Sequence, residues 1–159
     1  MKETEFQSML VRVIIADGGQ AMKLSPEFSN GTVDLPCKMR RHPASFLLEA
    51  KSKTLRASTV ANPDFKFKLD VTKLQQYCLR DWYNAGMPTG VVSLLQTEGK
   101  NINHARVAFY GYQGCVDLDW HAKIRDHVPL GDHNIRDTRL VSELESFINC
   151  WPNGWNNGC

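Results

Sequence analysis

The chain has 159 residues, 42% of them hydrophobic, with a net charge of +2, the size and apolar content of one ordinary domain with its own core. No run approaches the roughly 20 apolar residues of a membrane span, and the opening MKETEFQSML lacks the basic-then-apolar layout of a signal peptide, so a cytoplasmic protein without a membrane partner is expected. Cys37, Cys78, Cys115, Cys150 and Cys159 are odd in number and widely spaced, with no CxxC pair, which argues against a zinc ribbon and for reduced thiols.

The first segment, ETEFQSMLVRVIIADGG, carries Phe6, Leu10, Val13 and Ile14 at helical spacing, with Thr4 as a cap and Gly18-Gly19 as the stop. QAMKL reads as a short strand, SPEFSNG as turn chemistry, and TVDLPCKM as a strand that Pro36 shortens or confines to an edge. ASFLLEAKS is the strongest strand in the chain, a continuous apolar run between breakers. TLRASTVANPDFKFKLD has no clear period and reads as an extended basic loop. VTKLQQYCLRDWYNAG predicts a helix capped by Asp70 and stopped by Gly86, with Leu74, Cys78 and Trp82 or Leu79 as its apolar stripe. TGVVSLLQ and ARVAFYGY predict two strands around the turn-like TEGKNINH, and TRLVSELESFINCW a last helix with Leu140, Leu144, Phe147, Ile148 and Trp151 on one side. With no repeat and no linker, this order implies a single mixed α/β domain over 1–159, its core at about 3–112 and a C-terminal extension at 113–159.

Charge is distributed unevenly. Residues 38–73 hold nine Lys or Arg against three acids, whereas the remainder holds ten basic and fourteen acidic residues. A basic middle on an acidic remainder points to a polyanion partner such as nucleic acid, with solvated loop charges as the alternative.

Within that basic stretch, Glu49 and Lys51 close the apolar strand two residues apart and so share one of its faces. Asp34 lies in the preceding strand candidate, and neighbouring strands would let Asp34 and Glu49 converge. Two carboxylates suit Mg²⁺, a hard ion that takes oxygen ligands and keeps part of its hydration shell. A lysine beside them supplies positive charge for an anionic phosphodiester and orients an attacking water. The plain alternative is a surface ion pair at a strand end.

The segments VDLPCK, FLLEAKSKT and LQQYCLRDWYNAGMPTGVVSLL, in this order, resemble the PD-(D/E)XK nuclease superfamily, and within it the Holliday junction resolvases of the RecU and Hjc type. The resemblance spans residues 3–95 and implies a restriction-endonuclease-like mixed central sheet flanked by helices. Carried over, it implies that Asp34 and Glu49 hold Mg²⁺, with Mn²⁺ able to substitute, and that Lys51 is the catalytic lysine. A first-helix glutamate joins the site, Glu5 ahead of Glu3, and Gln75 is the helix glutamine, with Gln76 or Lys73 as alternatives for that place. The basic segment from Lys53 to Lys68 corresponds to the DNA-contacting one. Together with Arg40 and Arg41 in the turn before the key strand, the DNA-binding set becomes Arg40, Arg41, Lys53, Arg56, Lys66, Lys68 and Lys73. Val33 stands where proline is usual before the Asp, and Leu35-Pro36 follows it less usually. The implied protein is a homodimeric, Mg²⁺-dependent endonuclease of branched DNA from a bacterium, archaeon or phage, associated with the nucleoid. The rivals are a restriction-like or repair nuclease on duplex DNA, an RNA-cutting enzyme, and a non-catalytic binding protein on the same fold.

Other residues admit bland readings. His121, His127 and His133 recur every six residues, which is neither helix nor strand period, so they need not share a face. Asp117 and Asp119 alternate like a half-exposed strand, and Trp82, Trp120, Trp151 and Trp155 read as core or interface.

Overall fold

A computed structural model describes residues 1–24, 35–101, 104–117 and 119–149. Among them the elements in chain order are α1 (Glu3–Ala16), β1 (Gln20–Ala21), β2 (Leu35–Lys38), β3 (Ser45–Leu55), α2 (Ala57–Val60), β4 (Lys66–Lys68) and α3 (Lys73–Asn84). There follow β5 (Thr89–Thr97), β6 (Arg106–Gly111), α4 (Tyr112–Asp117), β7 (His121–Lys123), a 3₁₀ turn (Ile124–Asp126), β8 (Val128–Pro129) and α5 (His133–Asn149).

Six strands form a mixed sheet in the order β1-β2-β3-β5-β6-β8, antiparallel throughout except for the parallel pair β3–β5. Both members of that pair are buried on two faces, which is why they read as continuous apolar runs. On one face Phe46, Leu48 and Ala50 of β3 pack with Phe6, Leu10 and Ile14 of α1 and with Leu140, Leu144 and Phe147 of α5. On the other, Leu47, Val91 and Leu95 meet Phe67, Leu69, Leu79 and Ala122. The architecture is a mixed α/β sheet flanked by helices, and α5 is integral to the core.

Pro36 is tolerated because its carbonyl accepts from Met22 N at 3.2 Å, on the side of the two-residue β1. The N–H that proline lacks lies on that short side, away from the full β3 ladder. Both long N-terminal helices end at a glycine with φ near +90°, Gly18 and Gly86. Met87 N donates to Trp82 O and Gly86 N to Tyr83 O, the paired bonds that close a helix and require a left-handed residue at that place.

Several expectations are corrected. The stretch expected as an extended basic loop folds into α2 and β4, and β4 pairs with β7 as a second, two-stranded sheet. Its partner lies more than 50 residues downstream, so no local period announces it. Thr72, not Asp70, caps α3, and Lys2, not Thr4, precedes α1. Leu79 is the buried anchor of α3, whereas Leu74 is 60% and Trp82 49% exposed. An alternating strand at Asp117 and Asp119 does not form: Asp117 ends α4 and Asp119 sits in a turn at φ 53°. Trp151 and Trp155 lie outside the described residues, as do Cys150 and Cys159. Cys37 and Cys78 are free thiols, and burial pushes the Cys37 pKa up to about 12.

Candidate active site

β3 changes character half-way along. Phe46 to Ala50 are buried. From Lys51 onward it emerges into a cleft between the main sheet and the β4–β7 sheet. Glu49 and Lys51 straddle that change, and by strand alternation both project to the face that carries Leu47.

Glu49 has no solvent exposure. Its Oε1 lies 2.7 Å from Lys51 Nζ, and accepts at 2.7 Å from Gln75 Nε2. A carboxylate taken fully out of water is tolerable only when paired and hydrogen-bonded, and these two donors supply that. Lys51, whose side chain is 12% exposed, also lies 3.7 Å from Glu3 Oε1.

Gln75 reaches Glu49 because of how α3 begins. Thr72 Oγ1 accepts from Gln75 N at 3.2 Å, and Gln75 Oε1 accepts from Thr72 N at 2.9 Å, a reciprocal capping box. With its oxygen committed to the cap, the amide can turn only its NH₂ toward Glu49, which fixes its orientation. Gln76 instead donates to Val71 O at 3.0 Å, and Lys73 is exposed at the first position of α3. The helix residue that touches the buried acid is therefore Gln75.

From α1, the structure brings Glu3 rather than Glu5 to Lys51. Glu5 Oε2 accepts from Lys2 N at 2.7 Å and serves the start of the helix. Asp34 lies outside the described residues; the next residue, Leu35, pairs with Leu48, the neighbour of Glu49.

The cleft is lined by Glu3, Lys51, Lys53, Lys68 and Asp70 around Phe67 and Ser93. Lys53 Nζ stands 3.4 Å from Asp70 Oδ2, an exposed pair. Lys66 and Lys68 flank buried Phe67 on β4 and point to solvent. Arg56 is exposed where α2 begins. Arg40 and Arg41 are not part of this cleft. They sit in the β2–β3 turn, roughly 20 Å of strand from Lys51 at about 3.3 Å per residue. Arg41 borders a separate hollow with His42, Glu145 and Asn149.

His121 and His127 have separate partners, the side chain of His133 lies outside the described ones, and no cluster of three or more His, Cys, Asp or Glu side chains suited to a metal occurs among the described residues. His121 Nδ1 lies 2.7 Å from Asp119 O. His127 is buried between the rings of Phe67 and Tyr110, with Nδ1 2.8 Å from Lys123 O and Nε2 2.9 Å from Ser93 Oγ. Burial lowers its pKa to about 4. Ser93 is a cleft residue that the motif pattern does not reveal. Its one sequence signal is a lone polar side chain in the apolar run GVVSLL.

No family model matches this chain, and no curated protein matches its sequence. Among solved structures it is similar to Hjc, a Holliday junction resolvase from the archaeal hyperthermophile Archaeoglobus fulgidus. That match has 15% sequence identity over 71% of this chain and 75% of the other, with a TM-score of 0.43. No helix among the described residues is long and apolar enough to cross a membrane.

Proposed function

We propose that this chain is a metal-dependent endonuclease that hydrolyses DNA phosphodiesters and, more finely, a resolvase that cuts four-way junctions as a homodimer. One observation carries the reading: a fully buried glutamate is held by a glutamine and by Lys51, and Lys51 in turn lines a cleft with Lys53 and Lys68. Surface ion pairs contribute little and have no need of such burial. A buried charge stationed where solvent and positive charge meet is the arrangement of a chemical site.

The donor set fits Mg²⁺. Glu49 and Glu3 offer hard oxygens, and the Lys51 ammonium already lies within 2.7 and 3.7 Å of them, in a place where positive charge is stabilised. Glu49 and Glu3 would hold the ion, with Asp34 assigned to the same task by the motif resemblance; Glu5, engaged at the helix start, is left the weaker candidate. When bound, Mg²⁺ supplies Lewis acidity to the phosphate and acidifies a water; Mn²⁺ offers the same chemistry.

The chain's own side chains do the rest. Lys51 presents donors toward the cleft, where they can orient a water or meet charge building on a phosphate oxygen. Gln75 holds the Glu49 carboxylate in one orientation. Lys53 and Lys68 at the cleft, with exposed Lys66, Arg56 and Lys73 as further candidates, bind the phosphate backbone without reading sequence.

The test incubates the protein with a four-way junction, linear duplex and single-stranded DNA, with Mg²⁺ and with EDTA. Paired nicks confined to the junction and abolished by EDTA are the expected result. Cutting of linear duplex would replace the junction substrate with a restriction-like or repair one, and binding without cutting in Mg²⁺ or Mn²⁺ would remove the enzyme reading altogether.

A further inference from the structure

The buried pair Ser93–His127 has no part in the chemistry proposed so far, yet Ser93 lines the same cleft and His127 is hydrogen-bonded behind it. Ser93 pairs in register with Lys51 across the parallel strands β3 and β5, so the two side chains stand side by side on one face of the sheet. The cavity they border, with Glu3, Phe67 and Leu69, has a volume of about 30 Å³. A water needs about 10–15 Å³ of such space, so this recess of the cleft has room for one.

Proton positions in the pair follow from geometry. His127 Nδ1 lies 2.8 Å from the Lys123 carbonyl, which can only accept, so Nδ1 carries the proton. A ring buried among Phe67 and Tyr110 is held in its neutral form, and burial is the largest cause of its lowered pKa. Nε2 is then an acceptor, and across 2.9 Å the Ser93 hydroxyl must donate to it. With its only hydrogen committed to His127, Ser93 Oγ turns lone pairs alone toward the cavity.

We propose that Ser93 is a positioning residue that seats one water beside Lys51, and that His127 sets its polarity. The water donates one hydrogen to Ser93 Oγ and accepts from the Lys51 ammonium, beside the apolar side chains of Phe67 and Leu69. These two contacts hold its oxygen next to Lys51 and leave it one lone pair and one hydrogen for groups that enter the cleft. The catalytic consequence rests on the nuclease reading; the hydrogen-bond polarity and the water do not.

Three measurements test this. Nitrogen NMR of histidine-labelled protein at neutral pH is expected to show His127 protonated at Nδ1 and bare at Nε2; a proton on Nε2 overturns the proposal. A high-resolution crystal structure of the wild-type protein is expected to hold a water within hydrogen-bond distance of both Ser93 Oγ and Lys51 Nζ, lost in Ser93→Ala; a dry cavity overturns it. Under single-turnover conditions with a four-way junction and Mg²⁺, Ser93→Ala is expected to cut about 10- to 100-fold more slowly with unchanged junction affinity, and Ser93→Thr to recover most of the rate. Unchanged cutting by Ser93→Ala overturns the proposal, and so does a parallel loss of affinity and melting temperature that Ser93→Thr does not restore. Should the wild-type protein cut no DNA in any divalent ion, the nuclease reading fails by itself, and the first two measurements still decide the polarity and the water.

Discussion

At the level of single residues, Glu49 sets the energetics of the site, because it has no exposure and relies on Lys51 and Gln75 for compensation. Lys51→Ala strands a buried charge, which costs about 3–5 kcal/mol, and it also removes the donors facing the cleft. The expected outcome is lost cleavage together with a lower urea midpoint, part of which excess Mg²⁺ restores by supplying the missing charge; urea titrations with Mg²⁺ and with EDTA check it. Lys51→Ala that is fully stable in EDTA would show that Glu49 is not a buried anion. His127 makes a second prediction with a definite sign. Its folded pKa of about 4 lies below the ordinary 6.5, so above pH 6.5 the group adds no pH dependence. As pH falls from 6.5 toward 4 the unfolded chain takes up a proton that the folded chain refuses, and stability drops by about 3 kcal/mol. Urea midpoints at pH 7.5 and 4.5 should differ accordingly in the wild type, and by less in His127→Phe. Of these residues, Glu49 and Lys51 could be named from sequence because strand alternation puts them on one face, and Gln75 only through the motif resemblance, with Gln76 and Lys73 open as alternatives. Ser93 and His127 could not, because their meeting joins residues 34 positions apart through β5 and a 3₁₀ turn.

Among the elements, α3 decides whether Gln75 is in place. Its amphipathic face is narrow: Leu79 alone is wholly buried, with Cys78 and Tyr83 at its margins, while Leu74, Tyr77 and Trp82 face outward. A helix so lightly anchored depends on its ends. Thr72→Ala removes the cap, which costs about 1 kcal/mol, and it also frees the backbone that holds Gln75 Oε1. Cleavage should fall by more than that small stability loss implies, with Thr72→Ser close to wild type; melting temperatures and single-turnover rates measured together check this. If rate and stability fall in proportion, the capping box does not orient Gln75. The stripe expected from spacing, Leu74 and Cys78 with Trp82 or Leu79, holds the buried residue only in its second alternative, because an apolar residue announces only that it can be buried. The side that finds a partner depends on where β5 and the second sheet lie, and the helix pattern carries no record of them. The same limit applies to β4, whose lysines disguise a strand that buries Phe67 against Ala122 of a distant β7.

For the whole molecule, the nuclease reading raises the question of where a DNA duplex would lie. The segment of high positive charge in the sequence divides in space: Lys53 and Lys68 border the cleft around Lys51, whereas Arg40 and Arg41 stand roughly 20 Å away at the β2–β3 turn. Charge counted along the chain suggests a polyanion partner but does not tell which basic residues share a surface, because a strand of this length carries its two ends to opposite sides of a small domain. Each lysine that neutralises a phosphate releases counterions, and its loss lowers the salt slope of binding by about one. Lys53→Ala with Lys68→Ala should therefore reduce the slope by about two and weaken junction binding uniformly across sequences, whereas Arg40→Ala with Arg41→Ala should leave slope and cleavage unchanged. Binding measured across a series of salt concentrations separates the outcomes. An equal reduction from both pairs would mean that the duplex runs the length of β3 and wraps the turn, and the cleft would then be one part of a longer track.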